Sequence, residues 1–197
     1  MSRAMTPERR IAHGLRRVND GVALGVGVAL LGACAYTLID VAGRPFGVAP
    51  GGNEEIAGYV MAGATSWGMA YGLLALAHVR IDVLRMRAGP AGAALLDVLA
   101  MLALTATAAL IAAQGWPVVA KTLANDSRAN TALETPLWIP QLAWWSGWLW
   151  FAACAAVLTL CALAAILRRD LAGADAMIGA RDEAEGEAGA QNGEAPS

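Results

Sequence analysis

The side chains whose types and spacing could carry chemistry are two histidines, three cysteines and one pair of neighbouring acids. His13 and His78 lie on distant segments. A multi-haem membrane cytochrome needs several axial ligands within its helices, and two separated imidazoles do not supply them. Cys34, Cys154 and Cys161 all lie in apolar runs, and none belongs to a C-x-x-C pair. That excludes the zinc frameworks and paired thiols from which metal and redox sites are built. Cys154 and Cys161 are seven residues apart, so they share one helix face, as small packing residues do. No P-loop and no H-E-x-x-H motif occurs. The expectation is a protein with no catalytic residue, no cofactor and no metal site, and therefore not an enzyme.

The acidic pair has a structural reading. Glu54 and Glu55 follow Asn53, which can cap a helix, and carboxylates in a first turn are stabilised by the helix dipole. Contact with a partner protein is the second reading, and the two can coexist. Further along, His78 and Asp82 stand one helical turn apart and can pair, with Arg80 and Arg85 at headgroup depth.

The elements that must position these residues follow from hydropathy. Of 197 residues, 57% are apolar and 15% charged, and mean hydropathy is +0.50. Soluble domains carry roughly 25% charged residues. Four stretches lack formal charge and are long enough for a bilayer: Gly21 to Ile39, Ile56 to Val79, Val98 to Ala120 and Thr135 to Leu167. A crossing needs about 20 apolar residues. Pro136 and Pro140 divide the last stretch, so Thr135 to Gln141 reads as an interfacial approach and Leu142 to Leu167 as the crossing. Backbone groups in lipid must be satisfied internally, which requires helices rather than an open sheet. Deep in these stretches no ionisable side chain occurs, and a standalone ion-coupled carrier normally shows one.

Orientation follows from Lys and Arg. Eleven of them, including the run Arg3 to Arg17 and the group Arg80, Arg85 and Arg87, fall on one side of a four-span chain. Only Arg44, Lys121 and Arg128 fall on the other, which puts both termini in the cytoplasm. Trp116, Trp138, Trp144 and Trp145 cluster where the third and fourth spans meet the outer face, as an aromatic belt does, while Trp67 sits mid-span. Before the first span, Thr6 and Pro7 suit a helix start, and Ile11, Leu15 and Val18 share a face among arginines. That pattern fits an amphipathic helix on the membrane surface or a plain basic flank. Leu31-Gly32-Ala33-Cys34 resembles a lipoprotein processing site. The apolar run continues to Ile39, however, and losing the first span would invert the charge balance, so cleavage is not expected.

These readings give an all-α membrane protein with four transmembrane helices, an N-terminal amphipathic surface helix and both termini cytoplasmic. Its segments are a cytoplasmic amphipathic segment at 1–20, a four-helix transmembrane bundle at 21–169 and a disordered acidic tail at 170–197. The spans lie at about 21–42, 56–79, 92–120 and 142–167. Ala64, Gly68 and Gly72 stand four apart, a spacing that lets helix backbones approach closely, either within the bundle or against another subunit.

The ordered landmarks resemble the small membrane subunit of tripartite ATP-independent periplasmic (TRAP) transporters. They are a basic start, a first span ending in Asp40-Val41-Ala42-Gly43-Arg44, then Gly52-Asn53-Glu54-Glu55-Ile56 and a Gly-rich second span. His78 to Leu84 and Thr131 to Pro140 complete the order, so that the likeness covers roughly residues 8 to 169. The acidic tail has no counterpart in the family pattern. The resemblance implies three partners: a large permease subunit holding the transport path and sodium sites, a periplasmic substrate-binding protein, and membrane lipid. Nucleic acid is not implied. It also implies symport of an organic acid such as a C4-dicarboxylate across the bacterial inner membrane, with this chain as scaffold. The candidate partner-contact residues are then Arg44, Glu54 and Glu55 at the outer mouth, Gly68 and Gly72 on the second span, and His78, Arg80 and Asp82 at the inner surface. The alternative is a standalone four-helix membrane carrier or a structural membrane protein.

Overall fold

Proline fixes φ where a first-turn N–H has no helical acceptor, and the first helix begins at Pro7. The computed structural model describes residues 7–48, 51–75, 89–131 and 133–168. These form four helices: α1 (Pro7–Gly43), α2 (Asn53–Leu74), α3 (Pro90–Ala124) and α4 (Trp138–Leu167), with a 3-10 turn at Arg44–Phe46. No strand occurs among the described residues, where an isolated bridge pairs Arg128 with Pro136.

Three helices are long and apolar enough to cross a membrane: α1, α3 and α4. α1 has 37 residues, which at 1.5 Å each is about 55 Å. It therefore exceeds a hydrocarbon core of roughly 30 Å. The basic segment and the first apolar run, expected as a surface helix and a separate span, form one unbroken helix. The reason is tertiary. Ala12 and Asn19 are buried and Leu15 packs on the core, so the basic turns are held by the neighbouring helices. Ile11 and Val18, read as the apolar face together with Leu15, are instead about half exposed. α2, at 22 residues, is long enough to cross but is diluted by Gly, Ser, Thr and Tyr, and it falls outside the three apolar helices. α3 continues through Pro117, about two turns before its end. α4 starts at Trp138, four residues earlier than the crossing read from sequence, because Pro140 lies in its first turn, where no helical N–H is needed.

The helices lie in the order α1, α2, α4, α3. α2 packs on α1 and α4, and α4 also touches α1, whereas α3 contacts α4 alone among the described helices. Burial follows this order. Of each helix's most apolar stretch, none is buried in α1, 22% in α3 and 44% in α4. α4 is therefore the centre, and Phe151, Ala155, Leu158 and Ala162 form its buried stripe against Ala70, Leu73 and Met101. The stripe recurs at three- and four-residue spacing, the period of one helix face.

Candidate functional site

The loop end of the molecule gathers the C-termini of α1 and α3 and the N-termini of α2 and α4. Its organiser is Asp40, which is fully buried. One carboxylate oxygen accepts the Gly51 N–H at 2.9 Å, and the other accepts Arg44 at 2.9 Å. Tyr36 donates its hydroxyl to the Gly51 carbonyl at 2.8 Å. Both ends of the α1–α2 connection are thus tied to α1. Arg44, a candidate contact residue, keeps 59% of its side chain exposed while paired to Asp40.

Asn53 does not cap α2. It is the first helical residue, and Gly52 occupies the cap position in the left-handed conformation, φ +67°. Gly51 and Gly52 both carry positive φ, and this brings the chain into the helix without a side-chain cap. A Cβ on Gly52 would also stand 2.5 Å from the Leu133 side chain of the α3–α4 loop. Gly52→Ala is expected to cost about 1–2 kcal/mol from backbone conformation alone. Displacement of Leu133 adds to that loss. Thermal melting in detergent reads the effect, and an unshifted midpoint would refute the contact.

Glu54 and Glu55 lie in the first turn of α2, as the sequence suggested. They divide their roles. Glu54 is exposed, whereas Glu55 is half-buried and accepts hydrogen bonds from Thr131 and from Tyr59, the latter at 2.7 Å. The Thr131 and Tyr59 hydroxyls hold the Glu55 carboxyl below its ordinary value of 4.5, against a smaller opposing effect of burial. A depressed folded value means that the tie stabilises the fold at neutral pH. That contribution fades as pH falls below 4.5 and through the lower folded value. Glu55→Gln is therefore expected to melt lower than the parent at pH 7 and to converge with it at acid pH. Parallel curves across that range would remove the assignment. The α3–α4 loop reaches Glu55 because it folds on itself: Ala129 N–H donates to the Thr135 carbonyl at 2.9 Å, and Leu137 N–H to Ser127 at 3.1 Å.

Within the helical body, the small-residue face divides in two. Gly68 has open space where a Cβ would stand, and Gly72 is half-buried. The close approach of α2 occurs instead at Ser66, whose Oγ would lie 2.3 Å from a Cβ on Gly147 of α4. Sequence spacing singled out the glycines of α2 but not this pair, because the small residue that matters sits on the opposing helix. Trp67, the mid-span exception, donates its indole N–H to the Ala143 carbonyl at 3.0 Å and stacks on Trp150 with centroids 6.4 Å apart. Asn19, not singled out from sequence, is buried between helices. It accepts the Trp150 indole N–H at 3.2 Å and donates to Leu15 O at 3.0 Å and to the Cys154 sulfur at 3.8 Å. A polar residue in a basic flank gave no signal for that role.

His78, Arg80 and Asp82 lie outside the described residues, as does the acidic tail. Among the described residues, no group of three or more His, Cys, Asp or Glu side chains could hold a metal ion. Cys154 and Cys161 are both buried on α4, consistent with a shared packing face.

No curated protein and no solved structure matches the chain. A family model does: residues 33–171 match the DctQ component of tripartite ATP-independent periplasmic transporters. That stretch runs from late α1 through Asp40, Glu55 and the Ser66–Gly147 crossing to the end of α4. The chain belongs to this family, and is the small permease subunit of a TRAP transporter, a membrane component of a transport machine rather than an enzyme.

Proposed function

We propose that this subunit is the scaffold of its transporter. It crosses the bacterial inner membrane four times with both termini in the cytoplasm. It packs against a large permease subunit that carries the substrate path and the sodium sites. A periplasmic binding protein delivers an organic acid such as a C4-dicarboxylate, taken up by symport. The observation that carries this reading is where the apolar surface lies. Leu24, Leu31 and Leu38 of α1, at seven-residue spacing, are each more than two-thirds exposed, and Leu95, Leu99 and Leu110 of α3 are more than half exposed. Surfaces of that kind require lipid or another apolar subunit. The fourth crossing rests on α2 being flanked by α1 and α4, with its Ser66 side buried. The arginine asymmetry supports the orientation.

In this arrangement Arg44, Glu54 and Glu55 face the periplasm, where the binding protein docks, and Gly68 with Gly72 offers a face to the large subunit. His78, Arg80 and Asp82 belong to the cytoplasmic surface. The test combines co-purification with charge reversal. Tagged chain is expected to recover the large subunit. The double variant E54K/E55K is expected to lower uptake severalfold while the complex still forms. Unchanged uptake would remove the periplasmic role, and transport by the isolated chain would remove the scaffold role.

A further inference from the structure

At the end of the molecule opposite the loops, α1 and α2 enclose a cleft whose floor includes Asn19, already bonded to Trp150 and Leu15. His13, Arg16, Arg17 and Asp20 line it on α1, and Tyr71 and Leu74 on α2, around a volume of about 440 Å³. Its charges are not matched internally. Arg16 and Asp20 stand one helical turn apart, the spacing of a helical ion pair, yet make none. The Arg16 Nε is shut off from solvent and has no hydrogen-bond acceptor. Two arginines and a histidine share the cleft with one carboxylate. Among its described lining residues basic side chains outnumber acidic ones, a balance that suits an anion.

Its depth says which anion. The apolar run of α1 opens at Gly21, and Arg16 precedes it by five residues, about 7.5 Å along the helix. Each headgroup layer of a bilayer is roughly 5–8 Å thick. Arg16 and Arg17 thus stand at phosphate level wherever α1 enters hydrocarbon. The facing wall, Tyr71 and Leu74, is mostly apolar, which suits the glycerol and acyl start of a lipid better than a free ion. We propose that this cleft seats the phosphate of one anionic phospholipid, with Arg16 and Arg17 donating to its oxygens. Guanidinium groups present paired donors that match phosphate geometry. The inference rests on the reading that α1 and α2 cross a membrane.

The test uses the full chain in detergent, with native mass spectrometry reading retained lipid. Phosphatidylglycerol is expected to be held as one lipid per chain, about tenfold more strongly than phosphatidylcholine. Millimolar inorganic phosphate is expected not to displace it. R16Q/R17Q is expected to abolish the preference and R16K/R17K to keep part of it, because lysine retains the charge without the fork. Asp20→Asn removes the competing carboxylate and is expected to strengthen retention, which provides a second readout if the glutamine variant folds poorly. Equal retention of both lipids, an unchanged preference in R16Q/R17Q, weaker retention in Asp20→Asn, or displacement by inorganic phosphate would each overturn the proposal. Recovery of the large subunit is scored separately. Lost lipid preference with an intact complex overturns this inference alone, and lost complex with retained lipid overturns the scaffold reading alone.

Discussion

Gly147→Ala is expected to lower the stability of the folded chain by about 1–3 kcal/mol, the range for forcing volume into a packed contact. The added Cβ would stand 2.3 Å from Ser66 Oγ, 2.7 Å from Ser66 Cβ and 2.9 Å from the Ser66 backbone carbon. A hydroxyl can rotate away, but backbone cannot, so α2 and α4 must separate. Separation has leverage because α2 joins α1 to the central helix. It would also stretch the Trp67 N–H bond to the Ala143 carbonyl, one turn before Gly147. The check is thermal melting in detergent together with the yield of complex. Ser66→Gly in the same chain is expected to restore part of the loss, by removing two of the three close contacts. A Gly147→Ala protein that melts with the parent would refute the close crossing.

Trp145→Ala is expected to loosen the loop end of α3 from α4. α3 touches α4 alone among the described helices, so the loss falls on its one helix interface, which Met101 and the Thr105–Thr159 hydrogen bond continue to hold. Trp145 donates its indole N–H to the Ala112 carbonyl at 2.8 Å, and its ring lies 4.9 Å from that of Trp116. Gly115 makes room for this: a Cβ there would meet Trp145 at 3.1 Å and Trp144 at 3.2 Å. Pro117, inside the same helix, lacks an N–H and so leaves the Ala113 carbonyl, next to Ala112, without its helical donor. Truncating a fully buried Trp costs about 3–5 kcal/mol. Trp145 is half-buried, so about 2–4 kcal/mol is expected on the same scale. Trp145→Phe keeps the ring and loses only the hydrogen bond, which in membrane proteins contributes about 0.6–1.7 kcal/mol. The melting midpoints are therefore expected to rank parent, Phe, Ala. Equal midpoints for Phe and Ala would assign the whole effect to the hydrogen bond and contradict the packing role.

Local and global features differed in how far they could be read beforehand. Long uncharged runs marked α1, α3 and α4, because hydropathy is a sum over neighbours in the chain. The acidic first turn of α2 was equally plain, since the helix dipole acts within one turn. The cap of α2 was misassigned to Asn53, because side-chain type predicts caps only where the backbone allows them, and here Gly51 and Gly52 take left-handed φ. The tryptophans of the outer end were read as a belt. Trp145 and Trp116 also pack on one another across α3 and α4, while Trp116 stays 47% exposed.

The sequence by itself pointed to an all-helical membrane protein, and its cysteines form no C-x-x-C pair. Its ordered landmarks also pointed to the family that residues 33–171 match. These are properties of composition and order, which survive without knowledge of any contact. Tertiary structure alone decided that α4 is the hub and that Ser66 meets Gly147. It also decided that Asp40 and Glu55 brace the loop end and that Asn19 joins the basic flank to α4. Each of these is a pairing across helices. Sequence periodicity gives the face a residue occupies but not its partner, because the partner's register depends on how two rigid helices slide and cross.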